Sequence, residues 1–347
     1  MWPALVVTAG AVGTMSYVLR RWPRLVHAKK APHPYWSEVF NIAHRGGREL
    51  TPENTLASFT ASSALCDAVE LDVWVTADGE VAVLHDGDLR RVTGVEGHVR
   101  ELKAADLPVV LARPSDGHRQ GEGEGLQPQQ LPLLKQVLPI VRRTENLAVM
   151  VEFKENSAAL RQKVHALLRD EGLLERASCF SLDGEINAEL RAHENGAFFI
   201  CSDVGRIALI YCCYYIGLIG FIPTSWFDPL WGFTILQLKN LGFFSRIPVV
   251  RSLPESVQWA IADKLPALTM RPKLFRHLQE RGIRVWCLGV NDEEKYETAL
   301  ALGVESVLTD RPAWLAALRK NDERAAPSGD RGHAGLRMRQ SSAPVVD

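Results

Sequence analysis

The hydrophobic pattern divides the chain into distinct regimes. From Trp2 to Leu19 no residue is charged, and Arg20, Arg21, Arg24, Lys29 and Lys30 follow at once. Wound as a helix, that run would cover roughly 27 Å, close to the thickness of a bilayer's hydrocarbon core. A signal peptide carries its positive charge before the apolar run, not after it. The pattern therefore predicts an uncleaved, single-pass transmembrane anchor over 1–19 and a basic juxtamembrane linker over 20–39. Positive charge on that flank votes for a cytosolic domain, while unpaired cysteines leave a lumenal one open. From residue 40 onward, short runs of Val, Ile and Leu alternate with helical stretches, the pattern of repeated βα units on a parallel sheet. Candidate strands are Phe40–Ala43, Val69–Val75, Val81–Leu84, Leu147–Phe153, Ser178–Ser181, Phe198–Ile200, Arg284–Leu288 and Ser306–Leu308. Together they fit an α/β fold, a (β/α)8 barrel over 40–316. Asn156–Glu171 and Lys273–Arg281 read as amphipathic helices, the latter stopped by Gly282 before a strand.

Some segments break this rhythm. Pro114–Pro132, made of Gly, Gln, Glu and Pro with almost nothing to bury, reads as a mobile loop, and 317–347 reads as a disordered polar tail. Ile207–Leu238 is the opposite case, since its only charge is Asp228. If it crossed a membrane, the strands before and after it would lie on opposite sides and could not close one barrel. It is expected instead to dip into the interface as a hydrophobic insertion, with Tyr211, Tyr214, Tyr215, Trp226, Phe227 and Trp231 at the boundary. A position on the catalytic side, lining an acyl channel, is the expectation, with an ordinary buried hairpin as the competing reading.

Chemistry concentrates at strand ends. In Val69–Val75, period two puts Glu70 and Asp72 on one face and Leu71, Val73 and Val75 on the other. In a barrel the apolar face packs under helices, so the two acids point inward at the C-terminal mouth, where barrel active sites are built. Adjacent carboxylates repel unless a cation lies between them, and hard oxygen ligands suit one divalent cation, Ca2+ or Mg2+. Glu152 and Lys154 share a face in the same way, adding a third carboxylate and a positive charge. His44-Arg45-Gly46-Gly47 and His85-Asp86 also follow apolar runs. Two imidazoles meet the needs of acid–base catalysis near neutral pH, and Arg45 offers a fork for phosphate oxygens.

Length and composition narrow the class. At 347 residues with 46% apolar side chains, one large catalytic domain is enough. Lys+Arg 40 against Asp+Glu 41 gives a net charge of −1, without the positive field of a nucleic-acid binder. The six cysteines form no CxxC pair and no metal spacing with histidine, and read as reduced thiols.

His44-Arg45-Gly46, Pro52-Glu53-Asn54-Thr55, Glu70-Leu71-Asp72-Val73 and His85-Asp86 occur in order, followed by Leu89–Gly94, Glu152-Phe153-Lys154 and Leu308-Thr309-Asp310-Arg311-Pro312. In these elements the chain resembles the glycerophosphodiester phosphodiesterase family, whose fold is a TIM-type barrel. The resemblance implies that His44 and His85 are the acid–base pair and that Glu70, Asp72 and Glu152 bind the metal. It also implies that Arg45 and Lys154 contact the phosphate, with Asn54 and Glu53 ordering the mouth. The expected reaction expels an alcohol from a glycerol phosphodiester. One departure is Leu288-Gly289-Val290-Asn291, where many members carry Trp-Thr-Val-Asn; Trp286 stands two positions earlier. The anchor, the greasy segment and this motif resemble the membrane-bound lysophospholipase D branch, which converts lysophosphatidylcholine-type lipids to lysophosphatidic acid. Expected partners are therefore a lysophospholipid and a membrane, such as the endoplasmic reticulum or another intracellular membrane. Alternatives are a phosphodiesterase for water-soluble diesters such as glycerophosphocholine, an inactive scaffold, which would have lost an acid or a histidine, and a phospholipase C-like or sphingomyelinase D-like barrel.

Overall fold

The structure, a computed structural model, describes residues 2–111, 129–193, 199–234 and 251–325, with the backbone alone for 2–10, 233–234, 262, 266 and 321–325. Parallel strands run around a barrel: β1 Asn41–Ala43, β2 Ala68–Val75, β3 Ala148–Phe153, β4 Ala177–Phe180, β5 Phe199–Ile200, β6 Leu230–Thr234, β7 Arg284–Leu288 and β8 Ser306–Thr309. β8 returns to β1 with Ile42 opposite Leu308, and β2 lies beside β3 with Asp72 opposite Glu152. Among the described residues the backbone pairing between β5 and β6 is thin: one parallel bridge, Cys201 to Leu230, and the Ser202 N–H donating to the Leu230 carbonyl at 2.9 Å.

Period two governs what each face meets. Val69, Leu71 and Val73 of β2 join Val149, Val151 and Phe153 of β3 in the core beneath the helices. Ile42, Ala68, Ala148, Met150, Phe180, Cys201, Leu230, Trp286 and Leu308 fill the interior, and Trp36 and Val39 complete that cluster from the segment entering β1. Trp36 is 1% exposed, and truncating such a side chain costs about 3–5 kcal/mol.

Two strand expectations are corrected. Val81–Val83 is no barrel strand but pairs antiparallel with β2 as a hairpin. The missing barrel strand is β6, which lies inside the segment expected to be an insertion. A strand buried on both faces reads as a continuous apolar run, so periodicity cannot separate it from membrane-seeking sequence. Gly232 of β6 is required by close approach: a Cβ there would stand 2.5 Å from the Trp286 ring. Upstream, the helix Val204–Tyr215 packs Ile210 and Tyr211 into the core, while Leu209, Tyr215, Ile216, Leu218 and Phe221 stay exposed. The carbonyls of Ile219 and Ile222 accept from the Arg281 guanidinium at 3.2 and 2.6 Å. Arg281 sits on the turn entering β7, so this tip lies at the N-terminal ends of the strands, opposite the mouth, and not on the catalytic side. Residues 235–238 of the expected insertion lie outside the described residues.

The expected anchor is a helix, Trp2–Arg21, but among the described residues no helix is long and apolar enough to cross a membrane. The side chains of residues 1–10, half of the expected span, lie outside the described residues. The C-terminal end of the helix docks on the protein. Leu19 is buried against Gly220, the Ser16 hydroxyl donates to the Gly217 carbonyl, and the His27 ring meets the Gly220 carbonyl at 2.7 Å. Nor is 20–39 a free linker: Arg24 donates to the Glu280 carbonyl at 3.1 Å and the Lys30 N–H to the Arg281 carbonyl at 2.8 Å. At the other end the helix Pro312–Ala325 carries the chain through the first part of the expected tail, whose remainder lies outside the described residues. Most of the expected loop Pro114–Pro132 does too, although Gln129–Gln130 pairs with Val109–Val110.

Candidate active site

The acids predicted to face inward do so. Glu70 is 1% exposed, Asp72 0% and Glu152 9%, and one oxygen from each lies within 4.8 Å of the others. Burial, then the charges of Asp72 and Glu152, push the Glu70 carboxyl well above the ordinary carboxylate range. Burial also works to raise Asp72, but the charges of Lys154, His85 and Arg45 outweigh it and hold that carboxyl below its usual range. Three buried, mutually repelling carboxylates with oxygen donors only are the donor set of a hard divalent cation, so the residues present fit one.

The two cations expected on phosphate are engaged by these acids. Lys154 Nζ stands 2.9 Å from Asp72 Oδ1 and 2.7 Å from Glu152 Oε1. Arg45 sits in a tight turn with φ 51, uncommon for a residue bearing a Cβ, and this aims its backbone N–H at Glu70 Oε2, 2.8 Å away. Its guanidinium Nη1 donates to Glu53 Oε1 at 3.0 Å. Gly46, which follows at φ 77, admits no side chain, because a Cβ would lie 2.4 Å from Ser58 Oγ. Asn54, also left-handed at φ 53, donates its amide to Asp72 Oδ2 at 2.9 Å. Glu53 is 2% exposed. Burial would raise its carboxyl, yet Arg45, Arg91 and Arg48 around it bring it down to about 2.

Each histidine is held by a carboxylate. His44 Nδ1 donates to Asp310 Oδ1 at 2.7 Å, and His85 Nδ1 to Asp86 Oδ1 at 2.7 Å. A carboxylate on Nδ1 fixes that nitrogen as the donor and leaves Nε2 for substrate. Burial, only partly offset by Asp86, lowers the His85 pKa. Asp310 is braced in turn by Asn291 Nδ2 at 2.8 Å, and Asn291 Oδ1 accepts from the Asp310 N–H at 2.8 Å. Asp86, Arg91, Asp310, Asn291 and Arg48 are not among the candidate residues of the sequence. All but Arg48 stand within its motifs, but their partners are visible only through space. The altered seventh-strand motif keeps Asn291 in the site, while Trp286 turns inward and its indole N–H faces Cys201 Sγ at 3.0 Å.

A parallel barrel with a buried carboxylate trio, two carboxylate-held histidines and cations at its mouth is equipped for phosphoric diester hydrolysis. The profile of the Glycerophosphoryl diester phosphodiesterase family matches residues 44–181. Human lysophospholipase D GDPD1 is 31% identical over 315 residues, covering 90% of this chain and 95% of that protein. Human lysophospholipase D GDPD3 is 29% identical, over 88% and 92% respectively. The glycerophosphodiester phosphodiesterase of Agrobacterium tumefaciens superposes with a TM-score of 0.56 at 21% identity, covering 81% of this chain and 99% of that one. An Oleispira antarctica phosphodiesterase in complex with the product sn-glycerol-3-phosphate does so at 0.54 and 17%, over 82% and 99%. These two likenesses show the fold. The chain belongs to the glycerophosphodiester phosphodiesterase family and is a phosphodiesterase.

Proposed function

We propose that the protein is a metal-dependent lysophospholipase D that releases the head-group alcohol from lysophosphatidylcholine-type lipids and leaves lysophosphatidic acid. The observation that carries the chemistry is the buried trio Glu70, Asp72 and Glu152, together with two histidines whose Nδ1 atoms are tied to carboxylates. The substrate class is supported by the likeness to lysophospholipases D over 90% of the chain.

In this mechanism Glu70, Asp72 and Glu152 hold one Ca2+ or Mg2+, which when bound supplies positive charge to the phosphoryl oxygens. Arg45 and Lys154 bind the phosphate. One of His44 and His85 takes a proton on Nε2 from the attacking hydroxyl, either water, which gives the phosphomonoester directly, or the neighbouring glycerol hydroxyl, which gives a cyclic phosphate that water then opens with the same pair exchanging roles. The other gives its proton to the alcohol oxygen as the P–O bond breaks. Glu53 and Asn54 keep Arg45 and Asp72 in place. Residues 40–316 are the catalytic unit.

The exposed apolar side chains Tyr17, Trp22, Leu25, Ile216 and Phe221, bordered by Arg20, Arg21 and Arg24, are the surface we assign to contact with an intracellular membrane such as the endoplasmic reticulum. That surface lies away from the mouth, which favours a second reading, a phosphodiesterase for glycerophosphocholine and similar soluble diesters. Purified protein with added Mg2+ or Ca2+ separates the two. Faster choline release from lysophosphatidylcholine than from glycerophosphocholine is expected; the reverse order establishes the second reading, and no release from either overturns both.

A further inference from the structure

Arg91 lies on the short helix Arg90–Thr93, whose neighbours Leu89, Val92 and Thr93 are buried, so the backbone beneath it is fixed. Its side chain spans two acids. Nη2 donates to Glu53 Oε1 at 2.6 Å, and Nε donates to Asp86 Oδ2. Each acid has a second partner within the site: Glu53 Oε1 accepts from Arg45 Nη1 at 3.0 Å, and Asp86 Oδ1 from His85 Nδ1 at 2.7 Å. A continuous line of charge-assisted hydrogen bonds therefore runs Arg45–Glu53–Arg91–Asp86–His85. It joins a phosphate-binding arginine to an acid–base histidine on different loops.

We infer that Arg91 is a positioning residue, whose planar fork fixes the His85 imidazole relative to the Arg45 guanidinium; the inference rests on the phosphodiesterase reading above. The Asp86 side chain is 36% exposed, and a carboxylate held only by His85 would be free to turn about its own bond and carry the ring with it. Arg91 removes that freedom by taking the second oxygen. Asn291 does the same for Asp310 on the His44 side, so each histidine has a carboxylate and each carboxylate has a brace. A lysine would not serve, because one ammonium at the end of a flexible stem does not present two separated N–H groups in a plane to two acids.

The test uses the full chain with Mg2+, on lysophosphatidylcholine and glycerophosphocholine. Arg91→Gln and Arg91→Lys should each lower kcat about 10- to 100-fold, the usual effect of residues that orient a site from behind. KM and Mg2+ binding by calorimetry should stay near wild type. In a His85→Ala background the same Arg91 changes should cost almost nothing further, because the group being positioned is gone. Full rescue by lysine, or an equal loss with and without His85, overturns the inference. If wild-type protein turns over neither substrate, the functional reading fails separately, and ring 15N shifts of His85 still decide the relay. The expected result is one tautomer, protonated at Nδ1, in wild type and a mixture in Arg91→Gln; identical spectra overturn it.

Discussion

Burial works against a charge on Asp72, and the cations around it, Lys154 first, outweigh that cost. Asp72→Asn removes the group that both Lys154 and Asn54 address, and leaves two carboxylates where three held the cation. Turnover should fall at least about 100-fold, beyond the range for outer residues of a metal site, and Mg2+ or Ca2+ should no longer titrate in by calorimetry. Chelation of the wild type should have the same effect on rate; undiminished turnover by metal-free Asp72→Asn protein would exclude the metal role. His44→Ala and His85→Ala should each cost at least about 100-fold with metal binding retained, the contribution of a positioned acid or base. Near-normal rates in both would refute the pairing. These residues were legible because strand period two and their order along the chain place them without knowledge of contacts. The braces were not, since His44 meets Asp310 across 266 positions and Glu53 meets Arg91 across 38, separations that no local pattern encodes.

At the level of elements, the docked N-terminal helix carries a pH dependence. His277, on the helix Pro272–Glu280, is 4% exposed and holds the Arg20 carbonyl at 3.1 Å through Nδ1. Burial, with Arg281 nearby, lowers its pKa from 6.5 to about 4. The unfolded chain then binds a proton more readily than the folded one. The stability associated with neutral His277 is present above pH 6.5 and is lost as pH falls toward 4, by an amount on the order of 3 kcal/mol. Chemical denaturation at a series of pH values should show this loss in wild type and a clearly flatter profile in His277→Gln; parallel profiles would assign the acid sensitivity elsewhere. The helix itself was legible as an apolar run, but its docking was not. An apolar helix that lies on protein and one that lies in lipid have similar composition, and only the contacts of Leu19, Ser16 and His27 separate them. The same ambiguity hid β6 inside a segment that reads as membrane-seeking.

On the scale of the whole molecule the barrel separates two surfaces. Strand C-terminal ends carry the acids, histidines and arginines, while the apolar tip around Ile216–Phe221 is tied through Arg281 to the ends where strands begin. The barrel's existence and its catalytic end could be read from alternating βα units and inward acids. Which end the greasy segment reaches could not, because βα and αβ connections leave similar traces in sequence. This separation makes membrane contact and chemistry independently testable. Ile216 is 67% exposed and Phe221 43%, so Ile216→Glu with Phe221→Glu places charge at the surface and leaves the core intact. On the membrane-contact proposal, withdrawing each side chain from lipid forfeits about 1.5–3 kcal/mol, so binding to anionic vesicles by sedimentation should weaken well over 10-fold. Turnover of glycerophosphocholine in solution should be unchanged, since the substituted positions lie at the far end from Glu70, Asp72 and Glu152. Turnover of lysophosphatidylcholine presented in those vesicles should fall with the binding. Unchanged vesicle binding would remove this face from membrane contact, and a matching loss on the soluble diester would place these side chains in the folding of the barrel base instead.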